Sequence, residues 1–342
     1  LNFLSSYLSL RAGRRLALFI TAAALLLPGS LQAQTLKKVP FPFSPIGLNC
    51  LPWFVAKQAR LSEKYGIDLD PIFIGASSAL FQSMLSGAAE MSGSGGPAII
   101  ANILNGGDII HVTAMVPRFT QSVMVKPEIT RPEDMAGKKI GVSRLGTVTH
   151  FALQTAIDGY GVKNVTILQM GGQPEALAGL VRGSVDGAVF SPPYNFQLKK
   201  QGYNELVSPN DLKKFTDFIT NGIVARRSVI EKDKDTVIRV IKVTAEAIKL
   251  IQTDKDYTKK VIMKWMPMKD PDLLEQAYLF ASENYAKEGL VNEGALRSMV
   301  KQMVQSSLID PKLAGSTPIT AYYDNRYVEE VKRSGFFDQL WR

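Results

Sequence analysis

Histidine, cysteine and activated hydroxyls carry much of enzyme chemistry, and this 342-residue sequence holds the first two sparingly, with two histidines and one cysteine. His111 lies in a strand-like run and His150 near a helix start. Neither belongs to a metal-type spacing such as H-E-x-x-H, and there is no cysteine cluster, so no metal site is expected. Cys50 reads as a small buried hydrophobe, and a single cysteine allows no internal disulfide. "SGSGG" around Ser94 approaches the esterase pattern G-x-S-x-G, but Ser92 stands where the first glycine is required. The dinucleotide spacing G-x-G-x-x-G and the phosphate loop G-x-x-x-x-G-K-[ST] are both missing. With no set of nucleophile, base and orienter, the sequence predicts neither an enzyme nor a cofactor.

Small polar residues recur instead, in five segments that read as strand-to-helix turns: "SPIGLNCLPW", "GASS", "GSGGP", "SRLGTVTH" and "SPPYN". In an open parallel sheet such turns lie at the carboxyl ends of the strands, where ligands bind. Each also aims a helix N-terminus, with its unpaired N–H groups and partial positive charge, at the same crevice. Hydroxyls and backbone N–H groups converging there suit a small anion or zwitterion held without catalysis. Any one of these Ser or Thr residues taken alone also suits plain helix capping.

The elements that carry the turns follow from composition and pattern. A hydrophobic share of 46% and a charged share of 21% are ordinary for a globular chain of about two domains. At the N-terminus, Arg11, Arg14 and Arg15 precede "LALFITAAALLL" and "SLQAQ". This is the layout of a cleaved secretory signal over 1–33, too short in its apolar run to span a bilayer. Removing it takes three arginines and no acids from the formal +9, leaving +6. The basic residues are interspersed with acids, as in "EKDKDTVIR", and no basic stripe is interleaved with aromatics, so a nucleic-acid partner is not expected.

From residue 37 strand and helix patterns alternate. "LKKVPFPFS" reads as a strand whose prolines place it toward a sheet edge or a strand end, and "LPWFVAKQARLSEKYG" as a helix stopping at Gly66. "MLSGAAEMSGSGGPA" (Met84–Ala98) recurs as "LVRGSVDGAVFSPPY" (Leu180–Tyr194) when Gly183 is set on Gly87. Each phrase is a helix–strand–turn unit, so the chain is expected to contain two α/β lobes of similar design, each a mostly parallel sheet flanked by helices. Beyond residue 219 the pattern is largely helical. Ser228 with Glu231 suggests a capping box, and Val237, Ile241, Thr244, Ile248 and Ile251 form one apolar face.

"LPWFVAKQARLSEKYGIDLDPIFIGASSALFQSMLSGAAEMS", "ITRPEDMAGKKIGV", "SPPY" and "YYDNRYVEEV" together resemble the nitrate/sulfonate/taurine-type solute-binding proteins of bacterial ABC importers. That group also includes binders of thiamine pyrimidine precursors. The resemblance runs from about Val39 to the C-terminal helices and implies a type II periplasmic-binding architecture with a ligand cleft between the lobes. The lobes would comprise 37–125 plus 223–342, and 126–222, with hinge crossings near 122–128 and 218–225. It carries the ligand contacts to Ser44, Leu48, Asn49 and Trp53, to Ser77 and Ser78, to Ser94 and Gly95, to Gly146, Thr147, Val148 and Thr149, and to Ser191 and Tyr194. Trp53 would supply an aromatic wall or pack in the core, and Arg118 and Arg144 are the cationic candidates. Val148 stands where members of the group often have a second hydroxyl, which suggests a partly apolar ligand. The implied role is an extracytoplasmic, monomeric carrier that closes on a small anion or zwitterion in the periplasm and passes it to an inner-membrane permease. A ligand-presenting sensor and a thiamine-pyrimidine synthase are the alternatives, the latter poorly matched by one cysteine and two histidines.

Overall fold

Strand and helix alternate through the first two thirds of the chain as the turn residues require. The computed structural model describes residues 35–342 except 45–46, 75–76 and 267, and the side chains of 77–79 are not described. The export signal expected over 1–33 lies outside the described residues. Strands β1 (Lys37–Phe43), β2 (Ile67–Phe73), β3 (Met91–Ser94) and β4 (Ile109–His111) alternate with helices α1 (Leu51–Gln58), α2 (Ser77–Leu85) and α3 (Pro97–Leu104). Then come β5 (Ser122–Val125), β6 (Lys139–Val142), α4 (Val148–Tyr160), β7 (Thr166–Gln169), α5 (Gln173–Val181), β8 (Gly187–Phe190), α6 (Tyr194–Lys200), β9 (Asn204–Val207) and α7 (Pro209–Lys213). β10 (Gly222–Arg226) leads into α8 (Arg227–Ile230), α9 (Lys234–Thr253), α10 (Lys255–Trp265), α11 (Pro271–Asn284), α12 (Glu293–Gln305), α13 (Pro311–Ser316), α14 (Arg326–Arg333) and α15 (Phe336–Leu340).

Two five-stranded sheets result, ordered β2-β1-β3-β10-β4 and β7-β6-β8-β5-β9. Within each, one strand runs against the rest: β10 in the first sheet and β5 in the second. In both it stands fourth, and it is the strand by which the chain enters that sheet from the other. Setting Gly183 on Gly87 carries α2 onto α5 and β3 onto β8, residue for residue. Both glycines are left-handed, at φ 81 and 77. A side chain there would be strained by about 1 kcal/mol. The repeated phrase is therefore a repeated structure, and the fold is the two-lobed α/β one.

Strands β3, β5 and β8 are buried along their whole length, as central strands covered on both faces must be, and so is the edge strand β4. The α9 face predicted from its spacing, Val237 to Ile251, is buried. A second buried cluster spans both lobes: Ile100 of α3 and Met299 and Met303 of α12 share it with Phe151 and Ala152 of α4.

Four local expectations are corrected. β1 lies between β2 and β3 in the sheet order, inside it. Its prolines are tolerated because Lys37–Pro42 pair along β2 while the register with β3 touches only at Phe43 and Gly93. Helix α1 ends at Gln58, short of Gly66. Leu61 N–H donates to Ala56 O and Arg60 N–H to Lys57 O, a Schellman closure with Arg60 at φ 53 in the position glycine usually takes. Ser228 makes no capping box, because its hydroxyl donates to Asp108 while Asp233 caps α9. Val125, expected to end the first lobe, belongs to β5 and pairs with Gly187 and Asn204 of the second sheet, because β8 and β9 offer it partners on both sides.

The chain thus passes between sheets over 112–121 and returns before Gly222. The two passages pair where Val116 N–H donates to Asn221 O (2.8 Å) and Thr220 N–H donates to Val116 O (2.9 Å).

Candidate functional site

The carboxyl ends of β1, β3, β6 and β8 bring the polar turns together around this double crossing. β1 leads through Ser44, half-buried, to Leu48 and Asn49. Leu48 is buried, and its carbonyl accepts the Tyr285 hydroxyl. Asn49 Nδ2 donates to Thr120 Oγ1 (3.1 Å), while Asn221 Nδ2 donates to Asn49 O (3.2 Å). Thr120 and Gln121, both buried, continue the path: Gln121 Nε2 donates to Thr120 Oγ1 and to Ser191 Oγ, each at 3.1 Å. A buried polar chain therefore joins Asn49 of the first lobe to Ser191 of the second. Ser191 is held by its own N–H donating to Gln173 Oε1 (2.8 Å).

Close by, Ser94 and Gly95 end β3, and a methyl built at Gly95 would lie 3.0 Å from Thr220 O. Gly96 caps α3, and a methyl built there would lie 3.3 Å from Val148 Cγ2 at the start of α4. The N-termini of two helices from opposite lobes therefore abut. Neither has a side-chain cap or an acidic residue in its first turn. The contrast within the molecule is informative. The C-terminal helices α9 to α13 all receive a cap from Asp or Asn side chains, at Asp233, Asp254, Asp270, Asn292 and Asp310. Uncapped helix ends facing one crevice leave N–H groups and partial positive charge for an anion.

The turn before α4 is built on itself. Thr147 Oγ1 donates to Arg144 O (2.7 Å), so in its 2.9 Å contact with Thr149 the latter is the donor. Thr149 Oγ1 in turn accepts Ser143 N–H (3.0 Å). Both hydroxyl hydrogens are consumed inside the turn, which leaves Val148, Thr149 and His150 N–H as the donors this helix end presents. Gly146 N–H donates to His150 Nδ1 (3.3 Å). Burial holds the His150 pKa below the usual imidazole value, in keeping with a ring nitrogen that accepts.

Of the residues singled out from sequence, Asn49, Ser94, Gly95, Gly146 to Thr149 and Ser191 come together here, with Ser44 and the half-buried Tyr194 at the same strand ends. Trp53 does not: it is fully buried, packed on Phe41 at 4.9 Å, with its ring where a Gly93 side chain would stand. It belongs to the core of the first lobe because α1 turns that face to the sheet. Arg144 is exposed, and half-buried Arg118 reaches the carbonyl of Glu283 at 3.5 Å. Ser77 and Ser78 open α2, and nothing is described of their side chains. Thr120, Gln121 and Asn221 were not singled out, because a short "TQS" or "TNG" between strands carries no signal of a crossing. Among the described residues no three of His, Cys, Asp and Glu gather as a metal site. Burial pushes the Cys50 thiol up to about 12.

The NMT1/THI5-like family signature matches residues 48–256, more than half of the chain and all of the crevice just described except Ser44. The chain belongs to this family. Among its relatives, the Escherichia coli taurine-binding periplasmic protein is 38% identical over 85 residues, 24% of this chain and 26% of that protein. A putative ABC transporter periplasmic binding protein of Brachyspira hyodysenteriae is 24% identical over 251 residues, 68% of this chain and 70% of that one. The chain thus matches about a quarter of the length of the first relative. Two solved structures share the fold. The periplasmic aliphatic sulphonate binding protein SsuA of Escherichia coli gives a TM-score of 0.67 at 20% identity, over 81% of this chain and 94% of that one. The periplasmic nitrate-binding protein NrtA of Synechocystis PCC 6803 gives 0.71 at 10% identity, over 88% and 89%.

Proposed function

We propose that the protein is the extracytoplasmic solute-binding component of an ABC import system. It captures a small oxyanion-bearing ligand between its lobes and hands it to a membrane permease. One observation carries this reading: the N-termini of α3 and α4, from opposite lobes and with neither a side-chain cap nor an acidic residue in the first turn, abut at Gly96 and Val148. Two positive helix ends brought together repel unless an anion lies between them. The names of the relatives support the cargo class, since they bind taurine, sulphonates or nitrate. Among the described residues no helix is long and apolar enough to cross a membrane, which fits a carrier whose membrane partner is a separate chain.

Binding acts here by closure without chemistry. The passages over 112–121 and 208–221 serve as the hinge, and ligand burial between helix ends displaces water as the lobes close. Asn49 and Ser191 contribute side-chain polarity from the two sides, and Val148 supplies an apolar contact.

The test is thermal unfolding of ligand-stripped protein across sulfonates, inorganic oxyanions, carboxylates and pyrimidines, with small-angle scattering on any binder. A ligand at about 100 times its Kd stabilises by roughly 2.7 kcal/mol. The expected result is a raised Tm for oxyanions together with a smaller radius of gyration. A raised Tm for uncharged pyrimidines alone, or identical compactness with and without ligand, would overturn the reading.

A further inference from the structure

We infer that the lobes part on the side of α6, where Lys200 clasps the acidic start of α11 as a releasable latch, while the α4 side stays packed. This rests on the two-lobed carrier reading above and adds the side on which the crevice opens and the contact that keeps it shut.

Helices α4 and α6 lie on opposite faces of the second sheet. Right-handed crossovers put α4, which leads from β6 out to β7, on one face, and α6, which leads from β8 the other way to β9, on the opposite face. The alternating strand side chains agree. Val123 and Val125 of β5 and Val189 of β8 join Phe151 and Ala152 of α4 in one buried cluster. Met124, Ala188 and Phe190, which alternate with them, join Leu198 of α6 in another.

The two faces meet the first lobe differently. On the α4 face the buried cluster runs on into Ile100 of α3 and Leu296, Met299 and Met303 of α12. Opening there would expose apolar surface to water. On the α6 face the cluster containing Leu198 stays within the second lobe. Across that boundary stand Phe196, half-buried and edge-on to Phe280 at 6.3 Å, and Lys200, whose Nζ donates to Asp270 and to Asp272 (3.3 Å).

Asp270 is fixed in place for this contact. Its Oδ1 caps α11 by accepting Asp272 N–H (3.0 Å) and Leu273 N–H (3.2 Å), which leaves Oδ2 for Lys200. The lysine remains exposed, so the clasp is weak, screened by salt and open to replacement by water. Helix α6 spans from crevice to clasp. Tyr194 opens it beside the Ser191 turn, where a methyl built on Gly47 of the first lobe would lie 3.6 Å from Pro192 O, and Lys200 ends it. Releasing Lys200 frees the helix that walls the crevice, and the ligand enters past it.

Distances between paired spin labels test this in the ligand-free protein, so the outcome does not depend on which anion binds. Gln201→Cys with Gln276→Cys crosses the α6 side, and Asp158→Cys with Lys301→Cys crosses the α4 side; all four positions are exposed, and Cys50 is buried. Lys200→Glu sets three acids together. The α6-side distance should lengthen by about 5 Å or more, from contact towards a Debye length, with the α4-side distance unchanged. Adding Asp272→Lys should restore the wild-type distance, and in about 1 M salt wild type and Lys200→Glu should converge.

An α6-side distance that ignores Lys200→Glu, or an α4-side distance that lengthens as much, would overturn the inference. Lengthening that Asp272→Lys does not reverse would overturn the latch as well, since Lys200 would then act through its packing and not its charge. The carrier reading is judged separately by its ligand panel, because a bound anion raises Tm whichever side opens.

Discussion

His111 shows what burial does to a single side chain. It is inaccessible in β4, and neither ring nitrogen has a partner. Burial lowers its pKa from 6.5 to about 4. The folded protein therefore resists a proton that the unfolded chain accepts, so stability is full above about pH 6.5. It falls as pH drops towards 4, by about 3 kcal/mol at the limit. Urea unfolding of His111→Leu and wild type between pH 7 and pH 4.5 checks this. The acid loss should be shallower in the variant, and superimposable pH profiles would place its source elsewhere. Trp53, by contrast, had two readings in the sequence, ligand wall or core. Its packing on Phe41 and against Gly93 selects the core, so Trp53→Ala should lower stability by roughly 3–5 kcal/mol. Any residual folded protein should keep its ligand preference.

Helix ends carry the functional asymmetry. Asn292 caps α12 through Gly294 N–H and Ala295 N–H, as the Asp residues do for α9 to α11 and α13. Asn292→Ala should lose about 1 kcal/mol and about 2 °C in Tm, with ligand affinity unchanged. Ala98→Asp at the start of α3 should do the reverse. A carboxylate beside the free N–H groups stabilises the empty protein by about 0.3–1 kcal/mol, and it competes with an anion for the same helix end. Calorimetry should find at least a tenfold loss of affinity in that variant. Undiminished binding would remove α3 from the ligand's surroundings. Caps at the periphery were readable in part, since Asp270-Pro271 and the "NEG" at residue 292 announce helix starts. The end of α1 was not, because Arg60 occupies a left-handed position without the glycine that would signal it.

At the scale of the molecule, two passages, a shared apolar cluster, the buried polar chain from Asn49 to Ser191 and the ion pairs of Lys200 with Asp270 and Asp272 join the lobes. Gly222 lies so close to the outgoing passage that a methyl there would stand 1.9 Å from Thr113 O. Backbone on backbone cannot yield by a rotamer change, so Gly222→Ala should force the passages apart and destabilise by about 3 kcal/mol or more. Denaturant unfolding measures it, and a loss under 1 kcal/mol would mean that the crossing is plastic. Away from the crossing, Gln302 of α12 donates to Thr155 of α4 at 2.7 Å beside the shared apolar cluster. The C-terminal helices therefore support the second lobe as well as the first.

The sequence by itself determined the alternation of elements, the duplication of the helix–strand–turn unit and the shortage of catalytic groups. These are local properties, written in periodicity, in glycines such as Gly87 and Gly183, and in residue type. It also brought out most of the turns that meet at the crevice, because strand-to-helix turns of parallel sheets must share one side. Tertiary structure decided the rest. Which sheet takes β5 depends on partners more than 60 residues away, at Gly187 and Asn204. Whether Trp53 faces ligand or core depends on the rotation of α1 over β3. Thr147 spends its hydrogen on Arg144 O and Thr149 spends its own on Thr147, and Gln121 Nε2 bridges Thr120 and Ser191, because hydrogen-bond direction is settled only when donors and acceptors are fixed within about 3 Å of each other.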